Sequence, residues 1–240
     1  MRYNDEMSYP SALDEARARE LNLVTFMNRV YVWMTLGLTM TAVTAWITAS
    51  MVQQGTFQPS LGLMGGLIAA ELGLVFFLSL FATRMPPIVA MGSFALYSIL
   101  TGVTFSFIFL VYSLGSITTI FLSTAALFGT MAIFGTITKK DLTTVGRLCF
   151  MGLVGIVLAI VIQWVAALAF GYSLTAWDIP IAIIGVIVFL GLTAYDSQKI
   201  RQLSDAGETA TGLVILGALI LYLDFINLFL FLLRLFGSRD

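Results

Sequence analysis

The chain has 240 residues, 59% hydrophobic and 10% charged, with a mean hydropathy of +0.98 and a formal net charge of −1. A soluble domain carries about 45–50% apolar and about 25% charged residues, so composition excludes one and points to a polytopic membrane protein. The chain has no histidine, which excludes a His-based metal site, an imidazole general base and an imidazole pH switch.

In chain order, the first 29 residues are polar and charged, without the basic stretch and apolar core of a secretory leader. Ser11 to Asp14 fits a capping box loosely, with Asp in place of Glu or Gln, and opens a helix-prone run of mixed charge. Residues 1–29 read as a cytoplasmic N-terminal segment whose helix leads into the bilayer. A lipid-surface helix fits less well, because the basic excess is small.

Seven apolar runs follow, each near the roughly 20 residues needed to cross ~30 Å of hydrocarbon. They are Val30–Met51, Leu61–Phe81, Ile88–Tyr112, Ile117–Ile137, Gly146–Phe170, Ile179–Tyr195 and Leu213–Phe236. Backbone polar groups find no water in lipid, so each run must be helical. Residues 30–236 thus form an all-α domain of seven transmembrane helices, and residues 237–240 a short C-terminal tail. The narrowest break is Tyr112–Ser116; a re-entrant hairpin there would make the count even. Gly62 and Gly66 form a GxxxG spacing that predicts close helix packing. Cys149 lies in an apolar run, reads as a small core residue, and has no second cysteine to pair with.

The basic residues test the count. Arg2, Arg17, Arg19 and Arg29 precede the first span, Arg84 follows the second, Lys139, Lys140 and Arg147 follow the fourth, and Lys199 and Arg201 follow the sixth. Only Arg234 and Arg239 fall on the other side. The positive-inside rule then predicts a cytoplasmic N-terminus and an external C-terminus.

Among 13 acids, only Glu71, Asp196 and Asp224 fall within or at the edge of a span. A charge at the helix centre costs at least ~2.5–3.5 kcal/mol, so such acids read as functional with a partner to be named. Asp224 lies roughly 16 Å into its run, whereas Asp196 lies close to Lys199 and Arg201. The two can meet only if the sixth helix continues through Ser197–Leu203 or the seventh begins late. Paired in a poorly solvated site, they cannot both ionise cheaply and share a proton. Singly protonated they tie two helices together; doubly ionised they repel, loosen them and admit a cation. Arg84 or Arg201 near the inner mouth would favour the ionised form.

Two stretches, AYDSQKI (Ala194 to Ile200) and LGALILYLDFINLFLFLLRLFG (Leu216 to Gly237), resemble the Bax inhibitor-1 (transmembrane Bax inhibitor motif) family, with a bacterial YccA-like branch as the nearest match. That resemblance implies that the last helix is central, wrapped by the first six as two three-helix layers. It implies that Asp196 and Asp224 form a pH-responsive latch in a calcium leak pathway of the bacterial inner membrane. It also implies an acid in the second span, for which Glu71 is the candidate, and a basic residue near that helix's end, Arg84.

A calcium ion prefers six to eight oxygens. Asp196, Asp224 and Glu71, with Asn227 and Tyr222 as candidate neutral oxygens, supply too few for tight binding, which suits weak, transient contact during passage. The same residues suit protons or sodium. Two other readings stay open: a proton-coupled cation exchanger, and a modulator of a membrane-bound protease or stress response docking through the N-terminal segment. The expected partners are the bilayer and calcium ions, with no cofactor, no nucleic acid and no enzymatic activity. No GxSG motif accompanies a histidine, and no GxGD motif surrounds Asp224 as an intramembrane aspartyl protease requires.

Overall fold

A computed structural model describes residues 12–170, 177–205 and 211–238. Its helices are α1 (Ala12–Gln53), α2 (Leu61–Phe81), α3 (Pro87–Phe105), the single turn α4 (Ile108–Val111), α5 (Leu114–Ile137), α6 (Thr143–Phe170), α7 (Asp178–Asp205) and α8 (Thr211–Phe236). Seven spans are long and apolar enough to cross a membrane, α3 and α4 together making the third. The capping box begins on Ser11, outside the described residues, as do Arg2 and Arg239.

α1 runs unbroken for 42 residues, so the helix before Val30 and the first span are one rod. The break at Tyr112–Ser116 is real but shorter: Tyr112 and Ser113 are extended, and the Ser113 hydroxyl accepts from Ser116 N at 3.3 Å to start α5. The third span is itself interrupted at Ser106 and Phe107, a feature the apolar run hides.

α8 is the axis of the bundle. Seventeen of its residues are buried, on every side of the helix, which marks it as a core helix enclosed by others. α1, α3 and α2 pack in that order as one layer and α5, α7 and α6 as the other, with α8 held chiefly between α1 and α7. α2 and α6 are the outermost helices and turn apolar side chains such as Phe76, Leu80, Met151 and Trp164 to lipid.

Lipid gives no hydrophobic drive between helices, so association rests on fit and on hydrogen bonds across helices. Thr41 of α1 donates to Ser98 O of α3 at 2.9 Å and lies 2.6 Å from the Tyr222 hydroxyl of α8. Such bonds average about 0.6 kcal/mol in a membrane. Gly62 and Gly66 do not serve packing: an added Cβ at either meets nothing within 4 Å, because they lie on the outward α2. Close approaches occur at other glycines, among them Gly135, where a Cβ would strike the Ala194 carbonyl, and Gly146, where it would meet the Tyr195 ring at 2.5 Å.

The two ends of the bundle differ in charge. At the basic end, Arg29 donates to Thr211 at the start of α8, 3.4 Å away, and Gly212 abuts Ala82 in the α2–α3 turn. At the opposite end, Arg234 lies 3.9 Å from Asp178, and the tail is pinned by Ser113 N to Ser238 O (3.2 Å) and Ser238 N to Ser116 Oγ (3.0 Å).

Candidate functional site

The sequence left open how Asp196 could reach the depth of Asp224. α7 settles it by continuing as helix to Asp205, through the polar stretch that contains no helix breaker. Asp196 then lies nine residues, about 14 Å, from the basic end of α7, and Asp224 thirteen residues, about 20 Å, from the start of α8. The two carboxyl groups face one another, within range to act on each other's charge, and line the same cavity.

Asp224 is buried, and Asp196 beside it is half-buried. Asp224 is 4% exposed, and its Oδ2 receives no hydrogen bond from any donor among the described residues. A carboxylate oxygen only accepts, so a bond between these two groups requires a proton carried by one of them. Ser197 Oγ, beside Asp196, is likewise buried without a partner.

The rest of the Ala194–Ile200 motif fixes α7 in place around Asp196. Gln198 Nε2 donates to Lys140 O at 2.8 Å and its Oε1 accepts from Leu142 N at 2.9 Å, clamping the α5–α6 loop. In the same loop Asp141 Oδ1 accepts from Thr143 N at 2.9 Å and from Thr143 Oγ1 at 2.6 Å. Those bonds, first the hydroxyl and then the amide, hold the exposed Asp141 carboxyl below the ordinary carboxylate range. The Arg201 guanidinium donates to the Thr136 carbonyl at the end of α5. Ile200 is buried in the core, and the Lys199 ammonium lies 5.7 Å over the Tyr195 ring.

A cavity of about 790 Å³ opens onto the pair between α6, α7 and α8. Asp196, Asp224, Asn227, Arg147 and Lys199 supply its polar lining, and Phe150, Met151, Val157, Leu192 and Leu223 are among its apolar walls. Asn227 lies one helical turn beyond Asp224; its amide nitrogen donates back to Leu223 O at 2.8 Å, which leaves the amide oxygen as the candidate neutral ligand.

Tyr222 is corrected. Two residues from Asp224 is about 200° around a helix, so it points the other way and bonds Thr41, with Phe94 and Tyr97 edge-on against its ring. Glu71 is not brought to the pair either: its carboxylate accepts from the Thr104 hydroxyl of α3, and it does not line the cavity. Arg84 lies exposed in the α2–α3 turn, and neither it nor Arg201 lines the cavity. Arg147 and Lys199 do, and sequence reasoning used both only as topology markers. The signal was there for Lys199, three residues from Asp196 and therefore on its face of α7.

Among the described residues no cluster of three or more His, Cys, Asp or Glu exists that would hold a metal ion. The arrangement can hold and release a proton at two facing acids and offer sparse oxygens to a cation.

A family model described as inhibitor of apoptosis-promoting Bax1 matches residues 23–240, which include both aspartates. Inner membrane protein YbhL of Escherichia coli is 45% identical over 225 residues, covering 90% of this chain and 93% of that protein. A protein of Deinococcus radiodurans is 42% identical over 237 residues, 98% of this chain and 96% of its own length. One of Borreliella burgdorferi is 38% identical over 220 residues, covering 89% and 92%.

Proposed function

The chain belongs to the Bax inhibitor-1 family, and from that premise we propose that it is a pH-gated calcium leak channel of the inner membrane, with its N-terminus cytoplasmic and with Asp196 and Asp224 as the gate. The observation that carries the reading is the pair of facing carboxyl groups, Asp224 buried and Asp196 half-buried, in a cavity that Arg147 and Lys199 also line. With one proton between them the acids attract and join α7 to α8. When the proton leaves, two like charges face each other in a poorly hydrated site, and the helices separate.

Past the pair the core is closed: Leu228, Phe229, Phe231, Leu232 and Leu233 of α8 are all buried. The conformation therefore suits the protonated, shut state. Calcium is cargo, touched in passing by Asp196, Asp224 and the Asn227 amide, and a donor set this small favours passage over retention.

The test is calcium entry into liposomes carrying the purified chain, read with a trapped indicator. The reading expects downhill flux without any counter-ion gradient, increasing as pH rises through the titration of the pair. Flux that saturates and requires an opposing proton gradient would establish an exchanger instead.

A further inference from the structure

The cavity carries two cations that the gating account does not use. Arg147 stands in the second turn of α6 and Lys199 on α7; both side chains are exposed and both line the same cavity. Among the described residues neither forms an ion pair within 4 Å; Lys199 rests on the Tyr195 ring and feels the Asp196 carboxyl across the cavity, and Arg147 feels Asp141 only at a distance. With one proton on the aspartate pair, the cavity holds two positive charges against one negative.

Below those cations the wall is apolar and faces outward. α6 is an outer helix, and Phe150, Met151 and Val157 are 61%, 69% and 51% exposed. From Arg147 to Val157 is ten residues, about 15 Å along the helix. That is half of the ~30 Å hydrocarbon core, the depth of one leaflet. A cationic rim at headgroup level above a leaflet-deep greasy slot fits a molecule with an anionic head and an acyl chain.

We propose that this cavity seats one anionic phospholipid, its phosphate accepting from Arg147 and Lys199 and one acyl chain lying along Phe150, Met151 and Val157. The seat requires only those two cations and that wall, so it stands whether or not the aspartate pair gates calcium. Bound there, the lipid occupies the entrance to Asp196 and Asp224 and couples the state of the site to the composition of the leaflet at the basic end.

The experiment is native mass spectrometry and thermal denaturation of the full chain in a non-ionic detergent. The probes are phosphatidylglycerol, phosphatidylcholine of the same chains, and inorganic phosphate. One phosphatidylglycerol should bind per chain and raise the melting temperature, phosphatidylcholine should bind about tenfold more weakly, and phosphate alone should do neither. The double variant R147Q/K199Q should lose the preference for phosphatidylglycerol, while Lys139→Gln, in the exposed α5–α6 loop, should keep it. The single variants Arg147→Gln and Lys199→Gln, each expected to lose part of the preference, replace the double variant if it does not fold. Equal binding of the two lipids, an effect of phosphate alone, or an unchanged preference in the cavity variants would overturn the proposal.

Discussion

Asp224→Asn removes the titratable group at the centre of the bundle with almost no change in volume. The asparagine amide donates to an ionised Asp196 without needing a proton, so the bond between α7 and α8 persists at every pH. What disappears is the repulsion that opens the wild-type pair. Two unit charges about 4 Å apart repel by about 4 kcal/mol at an effective dielectric constant near 20. At ~1.4 kcal/mol per decade, that is nearly a thousandfold in the ratio of open to shut protein. The sign follows directly: ionisation favours the open state, so wild-type flux climbs with pH, and the variant should stay low and flat. Asp196→Asn should behave alike, because the acids act as a unit. The assay is calcium entry into liposomes across pH, with folded fraction checked by chromatography. Wild-type pH dependence in both variants would refute the reasoning.

Glu71→Gln keeps a hydrogen-bonding partner for Thr104 away from the cavity, so it should alter the flux less than either aspartate variant and leave its pH dependence in place; loss of the pH response there would move the sensor to α2. Asp141→Asn should leave the flux profile unchanged: its carboxyl is held below the ordinary range, so its contribution is present above that range and lost only as pH falls through the depressed value. Gly135→Ala drives a methyl into the Ala194 carbonyl and should cost about 1–3 kcal/mol, lowering the melting temperature by several degrees, whereas Gly62→Ala, with open space around it, should leave it unchanged or slightly raised. Gln198→Ala strands Lys140 O and Leu142 N, which a loss of melting temperature and faster amide exchange in the α5–α6 loop would register.

The spans and the two acids were legible because a charge inside an apolar run contrasts with everything around it. Their meeting was not, since Ser197–Leu203 is polar yet free of helix breakers and reads equally as loop or helix; its packing favours the helix, with Gln198 on the α5–α6 loop, Ile200 in the core and Arg201 on Thr136. Tyr222 was drawn into the site by sequence proximity to Asp224, and helical geometry sends it to Thr41. The glycine spacing at Gly62 and Gly66 looked like a contact and is lipid-facing, whereas Gly135 and Gly146, with no distinctive spacing, take the tightest approaches to the Ala194–Asp196 turn. The interruption of the third span at Ser106 leaves no mark in hydropathy, because every residue around it is apolar or small.

The account turns on a proton shared by Asp196 and Asp224, and the most direct measurement is the separation of their carboxyl oxygens in experimental structures at two pH values. Near pH 5 the account predicts a short contact of about 2.5–2.7 Å, characteristic of an acid bonded to its conjugate base. Well above neutrality it predicts a separation beyond about 4 Å with α7 displaced from α8. A short contact that survives unchanged across that range would contradict it.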